Sequence, residues 1–165
     1  MNGHNSKQDQ TFEIHAIGHV QRDGNSIQLE IMEPFRPALK QLDHFSHVVV
    51  FWWADHFDNE EYRTMLQCQP PYAEEKVTGV FATRSPYRPN PIAMTTCKLL
   101  DVDEENGIVR IADIDAFDGT QVIDLKAYFP VCDRVKTAHI PDWLEGWPAW
   151  MPDNGIGLEE GEEDA

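Results

Sequence analysis

Phe12-Glu13-Ile14-His15-Ala16-Ile17-Gly18-His19-Val20-Gln21-Arg22-Asp23-Gly24-Asn25-Ser26-Ile27-Gln28-Leu29-Glu30-Ile31-Met32 is the stretch that decides the fold class. Apolar and polar residues alternate from Phe12 to Val20 and again from Ser26 to Met32, a period of two that places alternate side chains on opposite faces of a strand. Between them, Asp23-Gly24-Asn25 supplies residues that tolerate positive φ, a strong hairpin signal. The same alternation marks Ile108 to Ile114 and Gln121 to Leu125 as strands, with Glu105-Asn106-Gly107 and Asp118-Gly119 as turns. Fuller apolar runs, His47 to Trp53 and Val77 to Ala82, read as strands buried on both sides or centrally placed, and Ala93 to Val102 continues the pattern. Many short strands at this spacing predict an all-β fold with short helices, a small closed antiparallel sheet or barrel.

Helix is scarce. Pro37 to Leu42 reads as one turn, and Asn59 to Gln67 as another, stopped by Pro70 and Pro71. Asp142-x-x-Glu145 reads as a capping box that opens a helix carrying Trp143, Trp147 and Trp150. These rings either staple the segment to the barrel or stack on a ligand, and a subunit contact would use the same residues. The expected organisation is a loose N-terminal segment over 1–11, the barrel over 12–140, a Trp-rich helix and segment over 141–155, and an acidic disordered tail over 156–165. A chain of 165 residues, 41% of them apolar, fills one such core rather than two.

Residues Met1 to Gln10 are polar and the longest apolar run, Val48 to Ala54, is far too short to span a membrane, so a soluble, cytoplasmic protein without membrane association is expected. Cys68, Cys97 and Cys132 form no C-x-x-C pair and read as reduced packing residues. His15 and His19 are four apart on a segment that alternates like a strand, where a second strand would be needed to complete a metal site. Asp113, Asp115 and Asp118 lack the spacing and the bidentate Glu of a calcium loop. No metal site is expected, and His47 reads as a satisfied core histidine. The formal charge is −16; residues 151–165 hold six acids and no base, leaving 23 acids against 13 bases, or −10, elsewhere. That balance argues against strong nonspecific binding to nucleic acid, whose affinity comes from Lys and Arg on phosphates, and leaves room for a local basic patch.

Gly79-Val80-Phe81-Ala82-Thr83-Arg84-Ser85-Pro86-Tyr87-Arg88-Pro89-Asn90-Pro91-Ile92 is the most unusual stretch. Three prolines stiffen it, which lowers the entropic cost of holding Arg84 and Arg88 in one geometry, as a loop that grips an anion needs. A rigid surface loop with exposed arginines would read the same way. There is no glycine-rich strand-to-helix fingerprint of a Rossmann domain.

This stretch closely resembles the signature of the TsaA-like family, which includes bacterial enzymes that N6-methylate threonylcarbamoyladenosine beside the tRNA anticodon. Ile17-Gly18, Phe45-Ser46-His47, Asp118-Gly119-Thr120 and Asp124-Leu125-Lys126-x-Tyr128-Phe129-Pro130 match in the same order, so the resemblance covers roughly residues 12 to 133. It implies a barrel-type methyltransferase of class VIII that uses S-adenosylmethionine and acts as a homodimer, with the donor near the subunit interface. By motif position, Arg84, Met94, Asp118, Gly119 and Thr120 are implied around the donor, with Asp55 and His56 supplying further contacts. Arg88, Asn90 and Lys126 are the corresponding candidates for the acceptor, for which tRNA is the implied partner although net charge does not support it. No catalytic residue is assigned, because methyl transfer from a sulfonium depends on positioning and demands no activated nucleophile. The sequence departs from the family in a short loop at Gln21 to Asn25 and in Gln121 and Ala127, where proline is common.

Overall fold

The computed structural model describes residues 10–158 apart from 25, 74 and 75. In chain order the strands are β1 (Gly18–Asp23), β2 (Ser26–Ile31), β3 (His47–Trp53), β4 (Gln67–Cys68), β5 (Thr78–Gly79), β6 (Ile92–Asp103), β7 (Ile108–Ile111) and β8 (Gln121–Ala127). Six of them close a barrel in the order β1-β2-β7-β6-β3-β8, and every adjacent pair is antiparallel. β4 and β5 form a separate two-stranded ribbon. The only regular α-helices among the described residues are single turns, α1 (Glu60–Thr64) and α2 (Pro130–Asp133). The expected all-β barrel with short helices is thus what the chain forms.

The sequence alternation becomes an alternation of burial. Val48, Val50 and Trp52 on β3, Leu29 and Ile31 on β2, Val109 and Ile111 on β7, Cys97 on β6 and Val122 on β8 all point into one core. Each such Val, Leu or Ile contributes about 1.5–3 kcal/mol by leaving water. Leu39 and Leu42, from the 3-10 turns Glu33–Leu39 and Leu42–His44, tuck into the same core. A bulge between Phe51 and Trp52, where β3 pairs with β8, breaks the regular ladder beside the cleft described below.

Several expectations are corrected. The first strand begins at Gly18, and Phe12 to His15 are exposed ahead of it, because the partner strand β2 ends at Ile31. The run from Val77 to Ala82 is not a buried strand: only Thr78–Gly79 pair, Val80–Ala82 form a 3-10 turn, and Phe81 is 83% exposed. With the barrel closed by six strands, this apolar run has no sheet position left and covers the outside. The predicted Trp-rich helix is a 3-10 turn, Asp142–Leu144, without a side-chain cap, followed by Gly146 at φ 96°. Glu145 therefore never becomes the third residue of an α-helix, as a capping box requires. Trp143 is half-buried, whereas Trp147 and Trp150 are exposed, the former edge-on to Tyr72.

All three cysteines are free. Cys97 sits in the core, where burial pushes its thiol up to about 12, but Cys132 is exposed and so is not a packing residue. His47 is only half-buried, its Nδ1 2.9 Å from Ser46 Oγ. No helix among the described residues is long and apolar enough to cross a membrane. Among the same residues no group of three or more His, Cys, Asp or Glu is placed to hold a metal ion. Residues 1–9 of the N-terminal segment and 159–165 of the acidic tail lie outside the described residues.

Candidate functional site

The end of β3, the start of β6, the proline loop and the connection from β7 to β8 converge on a cleft of about 700 Å³. Trp52, Met94 and Phe117 contribute apolar surface, and Arg84, Arg88 and Asp115 contribute charge. Apolar walls with a few placed polar groups are the usual constitution of a small-molecule site.

The proline loop is held by its own short-range bonds. Thr83, buried, donates its hydroxyl to Val80 O at 2.8 Å and accepts from Ser85 N at 3.2 Å, and Ser85 Oγ accepts from Tyr87 N at 3.2 Å. Arg88 is spent on the loop: Nε donates to Ser85 O at 2.7 Å, and Nη2 to Thr83 O at 2.9 Å and Val80 O at 3.4 Å. From outside, the Tyr87 ring packs on Tyr62 and Phe57, and Arg63 of α1 donates to Pro89 O at 3.3 Å. Arg63 also bonds Asp58 at 2.5 Å, which is the chief reason the Asp58 carboxyl titrates below its ordinary range. Arg84 differs from Arg88: it is exposed to the cleft and donates no hydrogen bond among the described residues. The result is one exposed guanidinium, without a hydrogen bond among the described residues, carried on a braced loop.

Opposite in charge stands Asp115. Its Oδ1 takes a hydrogen bond from the Thr95 hydroxyl, and Thr95 in turn accepts from Trp52 Nε1 at 3.0 Å. Thr95 and Trp52 are buried at 6% exposure each, so this chain of bonds anchors the carboxylate to the core of β6 and β3. Asp115 lies in a concave part of the surface, accessible to solvent yet crowded by protein. Desolvation raises its pKa, assisted by Asp113 and opposed by the Thr95 bond and by Arg84.

The residues singled out in the sequence fall into separate groups. Arg84, Arg88 and Met94 share the cleft. Asp118, Gly119 and Thr120 do not line it; they form a tight turn docked on β1. Asp118 Oδ1 accepts from Arg22 N at 2.8 Å, Gly119 N donates to Val20 O at 2.8 Å, and Thr120 is 2% exposed. Gly119 holds φ 78°, a conformation that residues with a Cβ rarely adopt. The turn adjoins the cleft through Phe117, on whose ring His56 stacks at 4.8 Å. Asp55 accepts from the His56 backbone N–H at 3.0 Å, which fixes that turn at the rim. Asn90 is exposed at the end of the loop, and Lys126 pairs with Asp124 at 2.6 Å with its ammonium 5.6 Å from the centre of the Phe51 ring, a residue of the cleft lining.

Asp115, Thr95, Trp52 and Phe117 were not picked out by sequence pattern, nor was Leu158, which reaches the cleft wall. Residues 155–158 return to the barrel because Gly157 lets the backbone approach Asp113; a Cβ there would lie 2.0 Å from Asp113 Oδ1. Ile156 to Leu158 therefore do not belong with a detached tail. A smaller cavity of about 360 Å³ is lined by Leu39, Phe45 and Leu125, with Lys40 and Asp124 also in its wall; none of the motif residues from the proline loop or the Asp118-Gly119-Thr120 turn lines it.

The chain is a closed six-stranded antiparallel barrel domain with a charged, aromatic cleft. The sequence pattern of the tRNA-methyltransferase O N-terminal domain matches residues 5–134, and the chain belongs to that family. A probable S-adenosyl-L-methionine-binding protein of Pyrococcus abyssi is 38% identical over 117 residues, 71% of this chain and 59% of the relative. A mouse tRNA (adenine(37)-N6)-methyltransferase is 41% identical over 103 residues, 62% of this chain and 23% of that protein. The crystal structure of TrmO from Pseudomonas aeruginosa has the same fold, with a TM-score of 0.59 at 26% identity, covering 79% of this chain and 62% of that one. The chain thus spans less than two thirds of the length of each of these relatives.

Proposed function

We propose that this protein is an S-adenosylmethionine-dependent tRNA methyltransferase that methylates N6 of a modified adenosine, threonylcarbamoyladenosine, beside the anticodon. The observation that carries the reading is the cleft, in which Arg84, free of hydrogen-bonded partners among the described residues, faces an apolar floor of Trp52, Met94 and Phe117. A zwitterionic donor with a flat base requires those features: a cation for its carboxylate and a slot for its adenine. Arg84 would hold the carboxylate and Met94 would pack on the adenosine. Asp118, Gly119 and Thr120, with Asp55 and His56, would shape the rim. When bound, the donor supplies the methyl group on a sulfonium, and the protein's part is to align it with the acceptor. Support for the tRNA acceptor comes from the family. Asn90, Lys126 and the remaining Arg88 amino group would contribute to holding it, and we place its action in the cytoplasm.

A symmetric homodimer is part of the proposal. Val131, Val135, Trp147 and Trp150 are exposed beyond the barrel, an apolar surface that a second copy would cover. Light scattering should report a dimer at micromolar concentration, and a monomer there would remove this part. For the activity, the protein is incubated with labelled donor and tRNA from a strain lacking the modification, followed by nucleoside analysis. Methylated threonylcarbamoyladenosine is the expected product. Donor binding without transfer to any RNA would leave a donor-binding module, and no donor binding at all would refute the reading.

A further inference from the structure

Asp115 is a carboxylate that the barrel holds at some cost to itself. An indole N–H can only donate, so the bond from Trp52 occupies Thr95 Oγ1 as an acceptor, and the single hydroxyl proton of Thr95 must point to Asp115 Oδ1. The direction of the whole relay is thereby fixed, as is the orientation of the carboxylate. Its own backbone N–H is a further donor, but no other side chain bonds it among the described residues, and it carries no salt bridge there. The charged and titratable groups facing it are Arg84 from the proline loop, Asp113 from the β7–β8 connection and the Cys97 thiol from β6. Asp115 lines the cleft, and among the described residues no side chain bonds its Oδ2.

We propose that Asp115 is a catalytic residue, whose Oδ2 accepts the exocyclic N–H of the acceptor base and takes its proton during methyl transfer. The inference rests on the reading of the cleft as an amine methyltransferase site. N6 of threonylcarbamoyladenosine is a weak nucleophile, because its lone pair is delocalised into both the purine ring and the carbamoyl carbonyl. A hydrogen bond to a carboxylate localises that pair. In the step itself, the nitrogen forms a bond to the methyl carbon and the carbon–sulfur bond of the sulfonium donor breaks, its electron pair remaining on sulfur as a thioether. The proton leaves nitrogen for Asp115, which later returns it to water. Crowding by the cleft walls and the neighbouring Asp113 raise its pKa, which makes the carboxylate a better base than an ordinary surface aspartate.

The test compares wild type with Asp115→Asn, Thr95→Val and Thr95→Ser, using tRNA lacking the modification. Asp115→Asn should lower kcat by roughly 100-fold or more, the scale of a general-base contribution, with affinity for the demethylated donor product unchanged. The acidic limb of the wild-type kcat–pH profile should disappear in this variant. Thr95→Val should move that limb to higher pH, because the lost bond favoured the ionised form, and Thr95→Ser should restore it. Carbon-13 titration of the Asp115 carboxyl should give the same order without turnover. An active wild type with an equally active Asp115→Asn overturns the proposal. So does loss of donor affinity in that variant, which would assign the carboxylate to the donor's ammonium. A wild type inactive on every RNA while binding donor overturns the underlying reading, and the inference with it.

Discussion

Arg84 and Arg88 lie four residues apart in one loop, yet their removal should have different consequences. In the free protein the Arg84 guanidinium has no hydrogen-bonded partner among the described residues, so Arg84→Ala removes no hydrogen bond from the fold and only its attraction to Asp115, and the thermal midpoint without ligand should stay close to that of wild type. With donor bound, the variant lacks one charge-assisted hydrogen bond. Such a bond to a charged group is worth about 1.5–3 kcal/mol, a rise in Kd of roughly 10- to 150-fold. Arg84→Lys should recover part of this, since an ammonium restores charge without the planar fork. Because Arg84 also holds down the Asp115 pKa, its removal should shift the acidic limb of the activity profile to higher pH. Isothermal calorimetry with the demethylated donor product, alongside thermal unfolding of the free protein, measures both arms. Unchanged affinity in a folded Arg84→Ala protein would refute the assignment of the loop to the donor.

Arg88→Ala takes the Arg88 donor from Ser85 O and Thr83 O, whereas Val80 O keeps its bonds from Thr83; a loss of about 2–3 kcal/mol should lower the melting temperature by roughly 4–10 °C, read by calorimetric scanning. For Asp115, a folded-state pKa above the unfolded value means that the folded form holds the proton more tightly, and that contribution is lost as pH rises through the raised value. Asp115→Asn should therefore raise the melting temperature at neutral pH, with the advantage vanishing below the ordinary aspartate range; a fixed difference at all pH values would contradict this. Gly157→Ala should lift residues 155–158 off Asp113, seen as faster limited proteolysis after residue 150, while the melting of the barrel is unaffected.

The barrel was legible because Val48, Val50 and Trp52, or Leu29 and Ile31, repeat at the period of a strand, and one buried face forces that pattern. Apolar content without period was less informative. Val80 and Phe81 are neighbours in an apolar run, but one is buried and the other lines a cleft, a distinction made only by the ribbon that β5 forms with β4. The Asp142-x-x-Glu145 spacing fitted a capping box, yet a cap needs a helix behind it, and Gly146 ends the turn first. The proline loop was legible as a rigid presenter of arginines, but the division of labour between them depends on which carbonyls lie within reach of Arg88. Asp115 drew notice only as one of three aspartates without calcium-loop spacing. What gives it chemistry is Thr95 and Trp52, contributed by two neighbouring strands, and no local pattern encodes that meeting.

The return of residues 155–158 to the barrel separates two demands that most binding sites must meet with the same atoms. The cleft floor consists of strand residues whose identity is constrained by ladder pairing and core volume, so few substitutions there leave the protein folded. Leu158 adds to the wall from a segment that pairs with no strand among the described residues and passes close to Asp113 at Gly157. Changes there can reshape the mouth of the cleft without being filtered by foldability. A lineage, or an engineer, can thus vary what is admitted to the cleft while leaving the barrel that builds it untouched.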